Sequence, residues 1–282
     1  AWTFDLPCLP PAAEACRAVK LLFSEFNPEY AHYRYPYVVW AVPEAHETPA
    51  DLYGAGFHPV TPDLRRFTLC RHLRVPLAGW RPDSENRRIL RQAEGLELRL
   101  IPRDEYRLPP DKLATWVAFA ERRFGPGIMP AARLEGVFRG AVTTHVLSVT
   151  DAQAGGREVG AALMYLEPPR MVHYCYAFYA LDHRLRSLGL WMMTAMLGHF
   201  AALGFGHAYL GTCYAEGALY KTQFAGLEFF NGVRWSADVK QLKFLVRRDA
   251  QARHLLLEPE FLAAEGGLEA LAAGTPFRHV GA

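Results

Sequence analysis

The sequence predicts an α+β fold in two lobes. Three successive runs rich in β-branched and aromatic residues, separated by turn residues, indicate neighbouring strands. A long apolar run follows them and indicates a buried helix. With 282 residues, 51% of them hydrophobic, the chain can bury a substantial core. We expect a small lobe over residues 1–105, a larger domain over 106–250 and a helical tail over 251–282.

The N-terminal lobe is rich in proline and aromatic residues and is expected to be irregular. Its clearest strand is Tyr37–Val42, flanked by proline-containing turns. A short helix is predicted over 84–92, with Asp83 or Ser84 as its N-cap. Arg87 and Arg91 are four residues apart, so they would share one face of this helix.

The second lobe has the more regular pattern. A helix is predicted after Pro110 that ends at Gly125. Strands over 142–149, 158–166 and 172–179 are joined by short turns, which favours an antiparallel meander. An apolar helix over 188–203 ends before Gly204, and a short strand over 207–210 follows. The methionine and tryptophan residues of that helix are interpreted as core.

Basic residues are concentrated in one part of the chain. The net charge is +2, but the window from residue 65 to 91 carries +6 and the rest −4. Such a window is suited to a phosphate backbone. The alternative is an arginine-rich composition, since only five of the 31 basic residues are lysines. The arginines of the window are Arg65, Arg66, Arg71, Arg74, Arg81, Arg87, Arg88 and Arg91.

The sequence favours a cytoplasmic protein without a disulfide framework. Its five cysteines are scattered and form no C-x-x-C pair, so neither a disulfide set nor a zinc knuckle is expected. No run of about 20 apolar residues is present, and residues 1–11 lack the pattern of an export signal. We therefore expect no membrane association.

The order of strands, helix and strand matches the half-barrel of GNAT acyltransferases, in which the acyl donor enters where two neighbouring strands separate. The segment from Arg184 to Gly189 supports an anion site, because it precedes the long helix. It resembles the GNAT pyrophosphate loop R/Q-x-x-G-x-G/A, with Ser187 in place of the first glycine. The alternative is an ordinary serine N-cap beside two solvated arginines.

Three colinear blocks between about residues 50 and 235 carry a more specific resemblance. The first runs from Gly56-Phe57 through 73–77 and 80–84 to Arg91, and the second is Glu97 to Pro102. The third contains Tyr176 to Tyr179, Ser187-Leu188-Gly189, Tyr209-Leu210-Gly211, Tyr214 and Tyr220-Lys221, followed by Phe224 and Trp235. In order and spacing these blocks resemble the arginyl/leucyl-tRNA-protein transferases.

The resemblance implies transfer of an amino acid from aminoacyl-tRNA to an amine of a protein, peptide or small molecule. Such a reaction depends on positioning and on oxyanion stabilisation. No cofactor is implied, because the charged tRNA is a co-substrate. The resemblance gives catalytic roles to Lys221, Tyr220 and Asp182. It gives substrate binding to Tyr176, Tyr179, Ser187, Leu188, Gly189, Gly211 and Tyr214, and tRNA binding to Arg74, Arg87, Arg88, Arg91 and Arg184.

The chain departs from that family at chemically important positions. The family has cysteines two, five and eight residues after the position of Pro62, where this chain has Leu64, Phe67 and Cys70. Apolar residues cannot ligate a metal, so no metal ligand is assigned and hydrophobic packing is expected there. Ala180 replaces an acidic residue, although Asp182 matches a second acid found in some members. Donor or acceptor specificity is therefore expected to differ.

Two alternatives remain open at this point. A GNAT enzyme using acyl-CoA would bind pyrophosphate at 184–189, and the arginines of 65–91 would then be an ordinary surface. A non-catalytic relative acting as a binding subunit is also compatible with the lost acid and cysteines.

Overall fold

The computed structural model describes residues 20–248, 256 and 258–274 of the chain. Its smaller sheet has four strands in the order β1-β2-β4-β3, all antiparallel. These strands are β1 (Lys20–Glu25), β2 (Tyr37–Val42), β3 (Phe57–Pro59) and β4 (Phe67–Leu69).

The larger sheet has eight strands in the order β12-β11-β5-β10-β9-β8-β7-β6. All its neighbours are antiparallel except β9 and β10, which run parallel. The strands are β5 (His72–Pro76), β6 (Leu96–Pro102), β7 (His145–Asp151), β8 (Arg157–Glu167), β9 (Met171–Tyr179), β10 (His207–Thr212), β11 (Glu228–Phe230) and β12 (Trp235–Ser236).

Helices cover both faces of this sheet. The strand β8 shows why, since Ala161 and Leu163 point to one core cluster while Ala162 and Met164 point to another. A strand buried on both faces needs a helical layer on each. The helices are α1 (Pro49–Gly54), α2 (Ser84–Arg91), α3 (Pro110–Phe124), α4 (Ala131–Arg139), α5 (Leu188–Ala202), α6 (Val239–Arg248), α7 (Pro259–Ala264) and α8 (Leu268–Gly274).

Three apolar clusters form the core. The largest lies under α5 and also takes in Ile89 of α2, Leu242 of α6 and Phe261 of α7. The second is formed by α3 and α4 against β7 to β9. The third joins the small sheet to the large one through Tyr53 and Phe67 packed near Tyr209. This third cluster fixes how the two sheets meet.

The fold class predicted from the sequence is confirmed. The meander β7-β8-β9, the helix α5 and the parallel strand β10 occur in the expected order. The strand β2 has the predicted bounds, and Asp83 caps α2 by accepting a hydrogen bond from the Asn86 amide at 2.7 Å. The first strand of the meander begins at His145, three residues later than expected.

The predicted boundary at residue 105 cuts through the large sheet. Strands β5 and β6 precede that position, yet β5 pairs with β10 and β6 forms the sheet edge beside β7. Strands that are far apart in the sequence can pair in one sheet. A division of the chain at residue 105 therefore separates strands that belong to the same sheet. In the tail, α7 and α8 bury Phe261 and Leu271 in the main core, whereas 251–255, 257 and 275–282 lie outside the described residues.

Among the described residues, no helix has the length and apolar character required to cross a membrane.

Candidate active site

A cavity of about 1000 Å³ opens where β9 and β10 separate. The two strands pair only from His207↔Met171 to Tyr209↔His173. Beyond those residues both strands continue unpaired with each other, and the gap between them becomes the cavity. The predicted site residues that line it are Tyr176, Tyr179, Ser187, Gly189, Gly211, Tyr220 and Lys221.

Lys221 lies in the gap between the two strands. Its segment, the 3-10 turn Glu216–Gln223, follows β10 and folds back over the strand end. The Lys221 ammonium donates a hydrogen bond to the Leu210 carbonyl at 2.7 Å and lies 3.5 Å from the Thr212 carbonyl. Burial lowers the pKa of Lys221 to about 8, while the Cys213 thiol acts in the opposite direction. An amine with that pKa can both accept and release a proton near neutral pH.

Gly189 allows the Tyr179 ring to lie against the first turn of α5. A Cβ atom at Gly189 would come within 2.6 Å of the ring. The requirement for glycine is therefore set by this close approach. On its other side Tyr179 packs edge-on against Phe119, with ring centroids 4.9 Å apart. The N-terminus of the 15-residue helix α5 consequently faces the cavity.

A buried carboxylate fixes the loop that leads into α5. The Asp151 carboxylate is 1% exposed and lies 2.9 Å from Nε2 of His183. The hydrogen bond from His183 lowers the pKa of Asp151. The hydrogen bond that Asp151 accepts from the Gln153 amide lowers it further, as does the nearby Arg184. Arg184 also donates to the Glu94 carbonyl. This arrangement brings Arg186 and Ser187 to the cavity wall.

The cavity wall carries positive charge. Arg123, Arg133, Arg186 and Lys221 line it, and no aspartate or glutamate is among the described residues that do so. Burial raises the pKa of Tyr176, an effect that Arg133 partly offsets. Clefts lined by one sign of charge concentrate the opposite ion. The site is therefore suited to an anionic group.

The other predicted site residues lie away from the cavity. Asp182 is exposed in the loop before α5, and Leu188 is buried in the main core. The Tyr214 hydroxyl accepts a hydrogen bond from the Arg71 amide at 2.7 Å. Arg74 is paired with Glu228 at 2.7 Å and stacks 3.9 Å above the Trp235 ring. The charge of Arg74 is paired with Glu228 and its planar face is stacked on Trp235, so contacts within the protein explain its position and no bound tRNA is needed.

The arginines of α2 form an exposed surface. Arg87, Arg88 and Arg91 are all exposed, and Arg88 pairs with Glu85, its Nε lying 2.8 Å from the carboxylate. Glu94, three residues after Arg91, accepts the hydrogen bond from Arg184. The C-terminal end of α2 therefore lies beside the loop that carries Arg186 to the cavity.

Sequence reasoning missed three histidines that the fold brings together. Each of His58, His72 and His173 offers one ring nitrogen, and these three nitrogens lie within 4.8 Å of one another. His58 and His173 line the cavity, and His72 and His173 are buried. They come from β3, β5 and β9, and their spacing along the chain resembles no metal motif. Only strand pairing and sheet packing could reveal the cluster.

The residues present do not fit a cysteine-ligated cluster of the kind implied by the family resemblance. Phe67 is fully buried, and its ring packs edge-on against Tyr53 at 6.2 Å between centroids. Cys70 is the one cysteine left of the three, and burial raises its pKa to about 12. Phe67 therefore contributes apolar packing where the family pattern has a cysteine.

Comparison with solved structures finds only limited similarity. FemX matches with a TM-score of 0.43 and 11% identity, covering 68% of this chain and 69% of FemX. The C-terminal domain of a putative lysylphosphatidylglycerol synthetase from Agrobacterium fabrum matches with a TM-score of 0.40 and 12% identity, covering 60% and 52%. At these scores we take the fold from the strand order alone.

Comparison of sequences is more informative, although no protein-family model matches the chain. The aspartate/glutamate leucyltransferase of Halorhodospira halophila is 28% identical over 173 residues, which is 60% of this chain and 72% of that protein. The protein of the same name from Pseudomonas paraeruginosa is 27% identical over 188 residues, 65% of this chain and 77% of that protein. The chain is thus similar, over about two thirds of its length, to proteins named aspartate/glutamate leucyltransferases.

Proposed function

We propose that this protein transfers an amino acid from aminoacyl-tRNA to an amine. The observation that carries the proposal is the cation-lined cavity at the separation of β9 and β10, with Lys221 between the two strands. The similarity to leucyltransferases supports the same class of reaction.

The reaction needs one proton to move from the attacking amine to the departing ribose oxygen. The amine nitrogen attacks the ester carbonyl carbon, a tetrahedral oxyanion forms, and the carbon–oxygen bond to the ribose breaks. An α-amine has a reference pKa of about 7.7–8.0, close to the pKa of about 8 that burial gives Lys221. Proton transfer between the two is therefore nearly balanced. Neutral Lys221 takes the amine proton and returns it to the ribose oxygen.

Hydrogen-bond donors for the oxyanion are available at the same wall. The N-terminus of α5 presents backbone N–H groups near Ser187 and Gly189, and the helix dipole favours a negative charge there. Burial raises the pKa of Tyr220, so its hydroxyl stays protonated and can donate. Tyr220 and the helix end are the candidate oxyanion donors.

The apolar part of the wall suits the transferred side chain. Phe119, Phe124, Leu190 and Met193 line the cavity together with Val142. Such a wall gains free energy by covering an aliphatic side chain. We infer a large apolar amino acid as the donor residue, in agreement with the name of the relatives.

The charged part of the wall suits an acidic acceptor. Arg123 and Arg133 lie on the helical side of the cavity, and arginine pairs with carboxylates in bidentate geometry. The relatives are named for aspartate and glutamate, and an acceptor amine next to such a side chain would be held there. Arg186 is then left for the phosphates at the tRNA end.

The tRNA body is assigned to the surface of α2. Arg87 and Arg91 are exposed on that helix, and the end of α2 adjoins the loop that carries Arg186. Phosphate contacts of this kind give salt-dependent binding without sequence information.

The acyl-CoA reaction remains a second candidate because of one feature. The N-terminus of α5 with Arg186 beside it would also hold a pyrophosphate. A CoA-dependent enzyme would bind CoA there and have no use for the α2 arginines.

A transfer assay decides between these donors. Purified protein is incubated with labelled aminoacyl-tRNAs, with peptides beginning with Asp, Glu, Lys or Leu, and in parallel with labelled acetyl-CoA. We expect label from leucyl-tRNA on peptides that begin with Asp or Glu. Label from acetyl-CoA without tRNA binding would establish the CoA reaction. No transfer from either donor, with the protein folded, would favour a non-catalytic binding subunit.

A further inference from the structure

Three imidazole rings meet where the small sheet packs on the large one. His58 of β3 and His72 of β5 have ring centroids 4.7 Å apart, and His173 of β9 lies 5.2 Å and 5.7 Å from them. The rings meet at steep angles of 80–87° to one another. Such angles let one nitrogen of each ring point toward a common centre.

Each ring keeps a buried nitrogen without a hydrogen-bond partner among the described residues. These atoms are Nδ1 of His58, both nitrogens of His72 and Nε2 of His173. An unpaired buried polar atom costs free energy, so natural structures rarely leave one. A cation bound between the rings would give a partner to three of these four atoms, one on each ring, and would leave only the second nitrogen of His72.

The second nitrogen of an imidazole can support the first as a metal ligand. A neutral imidazole has one N–H and one lone pair, so a ring can donate with one nitrogen and bind a metal with the other. The phenol of Tyr53 lies 2.7 Å from Nδ1 of His173, whose Nε2 is unpartnered. When Nδ1 of His173 donates to the phenol oxygen, Nε2 keeps the lone pair that a metal needs.

We propose that His58, His72 and His173 bind a divalent transition-metal ion of the zinc class, with one coordination position open to the cavity. Zinc–nitrogen bonds of about 2.0–2.1 Å place tetrahedral ligands about 3.3 Å apart. The ligand atoms lie within 4.8 Å of one another, so each ring moves by less than about 1 Å to reach that geometry. Three neutral nitrogens suit zinc, cobalt or nickel and not magnesium or calcium.

The ion would join the two sheets and face the substrate cavity. Its ligands come from one strand of the small sheet and two strands of the large one. His58 and His173 line the cavity, so a water molecule or a substrate oxygen is the fourth ligand. Three protein ligands and one open position are typical of catalytic rather than structural zinc. This inference is independent of the tRNA reaction and does not require it.

The test is metal binding by the full chain, purified with a tag that contains no histidine. The protein is dialysed against Zn²⁺ or Co²⁺, freed of loose metal by gel filtration and analysed by mass spectrometry for metal content. We expect one bound ion per chain, a visible absorption band typical of four- or five-coordinate Co²⁺, and a higher Tm in zinc than in chelator. A metal-free chain with an unchanged Tm would overturn the proposal.

Variants then locate the site. His58→Ala and His173→Ala should each lose the cobalt band and the stoichiometric ion, whereas His46→Ala, at an exposed histidine, should keep both. Tyr53→Phe removes only the hydroxyl that faces His173, and we expect about 10- to 100-fold weaker metal affinity. Tyr53→Phe stays informative even if an alanine variant fails to fold. An ion retained in both alanine variants would place it elsewhere and contradict the assignment.

Discussion

The Lys221 ammonium donates a hydrogen bond to the Leu210 carbonyl directly after the point where the pairing of β9 and β10 ends. Its hydrogen bond to the Leu210 carbonyl is 2.7 Å long and lies one residue beyond the last parallel pair, Tyr209↔His173. The separated strands thus hold a side chain with a pKa near neutral at the cavity wall. This relationship makes Lys221 the most informative residue to change.

Substitution of Lys221 distinguishes a proton carrier from a fixed positive charge. Lys221→Met removes both functions, whereas Lys221→Arg keeps the charge but cannot lose a proton near neutral pH. If Lys221 carries the proton, kcat for aminoacyl transfer falls by about 10²–10⁴-fold in both variants. If it only stabilises an anion, the arginine variant keeps most of the activity. Lys240→Arg, far along the chain in α6, serves as the control.

The titration of Lys221 can be measured directly, since the chain has only five lysines. Reductive methylation with a ¹³C label gives one NMR signal for each lysine and one for the N-terminal amine, which also titrates near pH 8 and is recognised because Lys221→Met keeps it. We expect one lysine signal to titrate near pH 8, below the ordinary lysine value of about 10.4, because burial disfavours the charged form. The signal should be missing in Lys221→Met. A set of five lysine signals that all titrate above pH 10 would contradict the burial of this amine.

Gly189 should not tolerate a side chain. Alanine there would place its Cβ 2.6 Å from the Tyr179 ring, and such overpacking costs about 1–3 kcal/mol. We expect Gly189→Ala to lower Tm and weaken substrate binding, and Tyr179→Ala in the same chain to restore part of the Tm. Thermal unfolding of the wild type, the two single variants and the double variant gives the coupling free energy between positions 179 and 189.

Gly198 of the same helix is the matched control. A Cβ there meets only the Trp80 ring at 3.9 Å, an ordinary contact. Alanine is a better helix former than glycine by about 0.8–1.0 kcal/mol, so Gly198→Ala should raise Tm. An equal loss of Tm in Gly189→Ala and Gly198→Ala would show that the contact with Tyr179 does not cause the loss.

Removal of two arginines from α2 should weaken tRNA binding in a salt-dependent way. If Arg87 and Arg91 each contact a phosphate, the double alanine variant lowers the slope of log affinity against log salt by about 1.5. Filter binding at several salt concentrations measures the slope. Arg99→Ala, at an exposed arginine of β6 paired with Glu97, should leave it unchanged. An unchanged slope in the double variant would instead favour the CoA-dependent reaction.

The sequence determined many elements of the molecule and part of its candidate site. Local patterns were sufficient for β2, for α2 with its Asp83 cap and for the order of meander, helix and strand, because capping and periodicity act between near neighbours in the chain. The resemblance to transferases was sufficient to single out Tyr179, Gly189 and Lys221, which meet at one cavity.

Only the tertiary structure decided which residues lie next to one another in the candidate site. Arg74 was expected at a tRNA surface, but strand pairing places it beside Glu228 and Trp235. His58, His72 and His173 carry no motif, yet sheet packing brings their rings together and leaves buried ring nitrogens without a partner among the described residues. Contacts between residues far apart in the chain depend on register and on how sheets stack, and short-range patterns contain neither. The loss of hydration that shifts the pKa of Lys221 likewise arises only when the chain has folded around it.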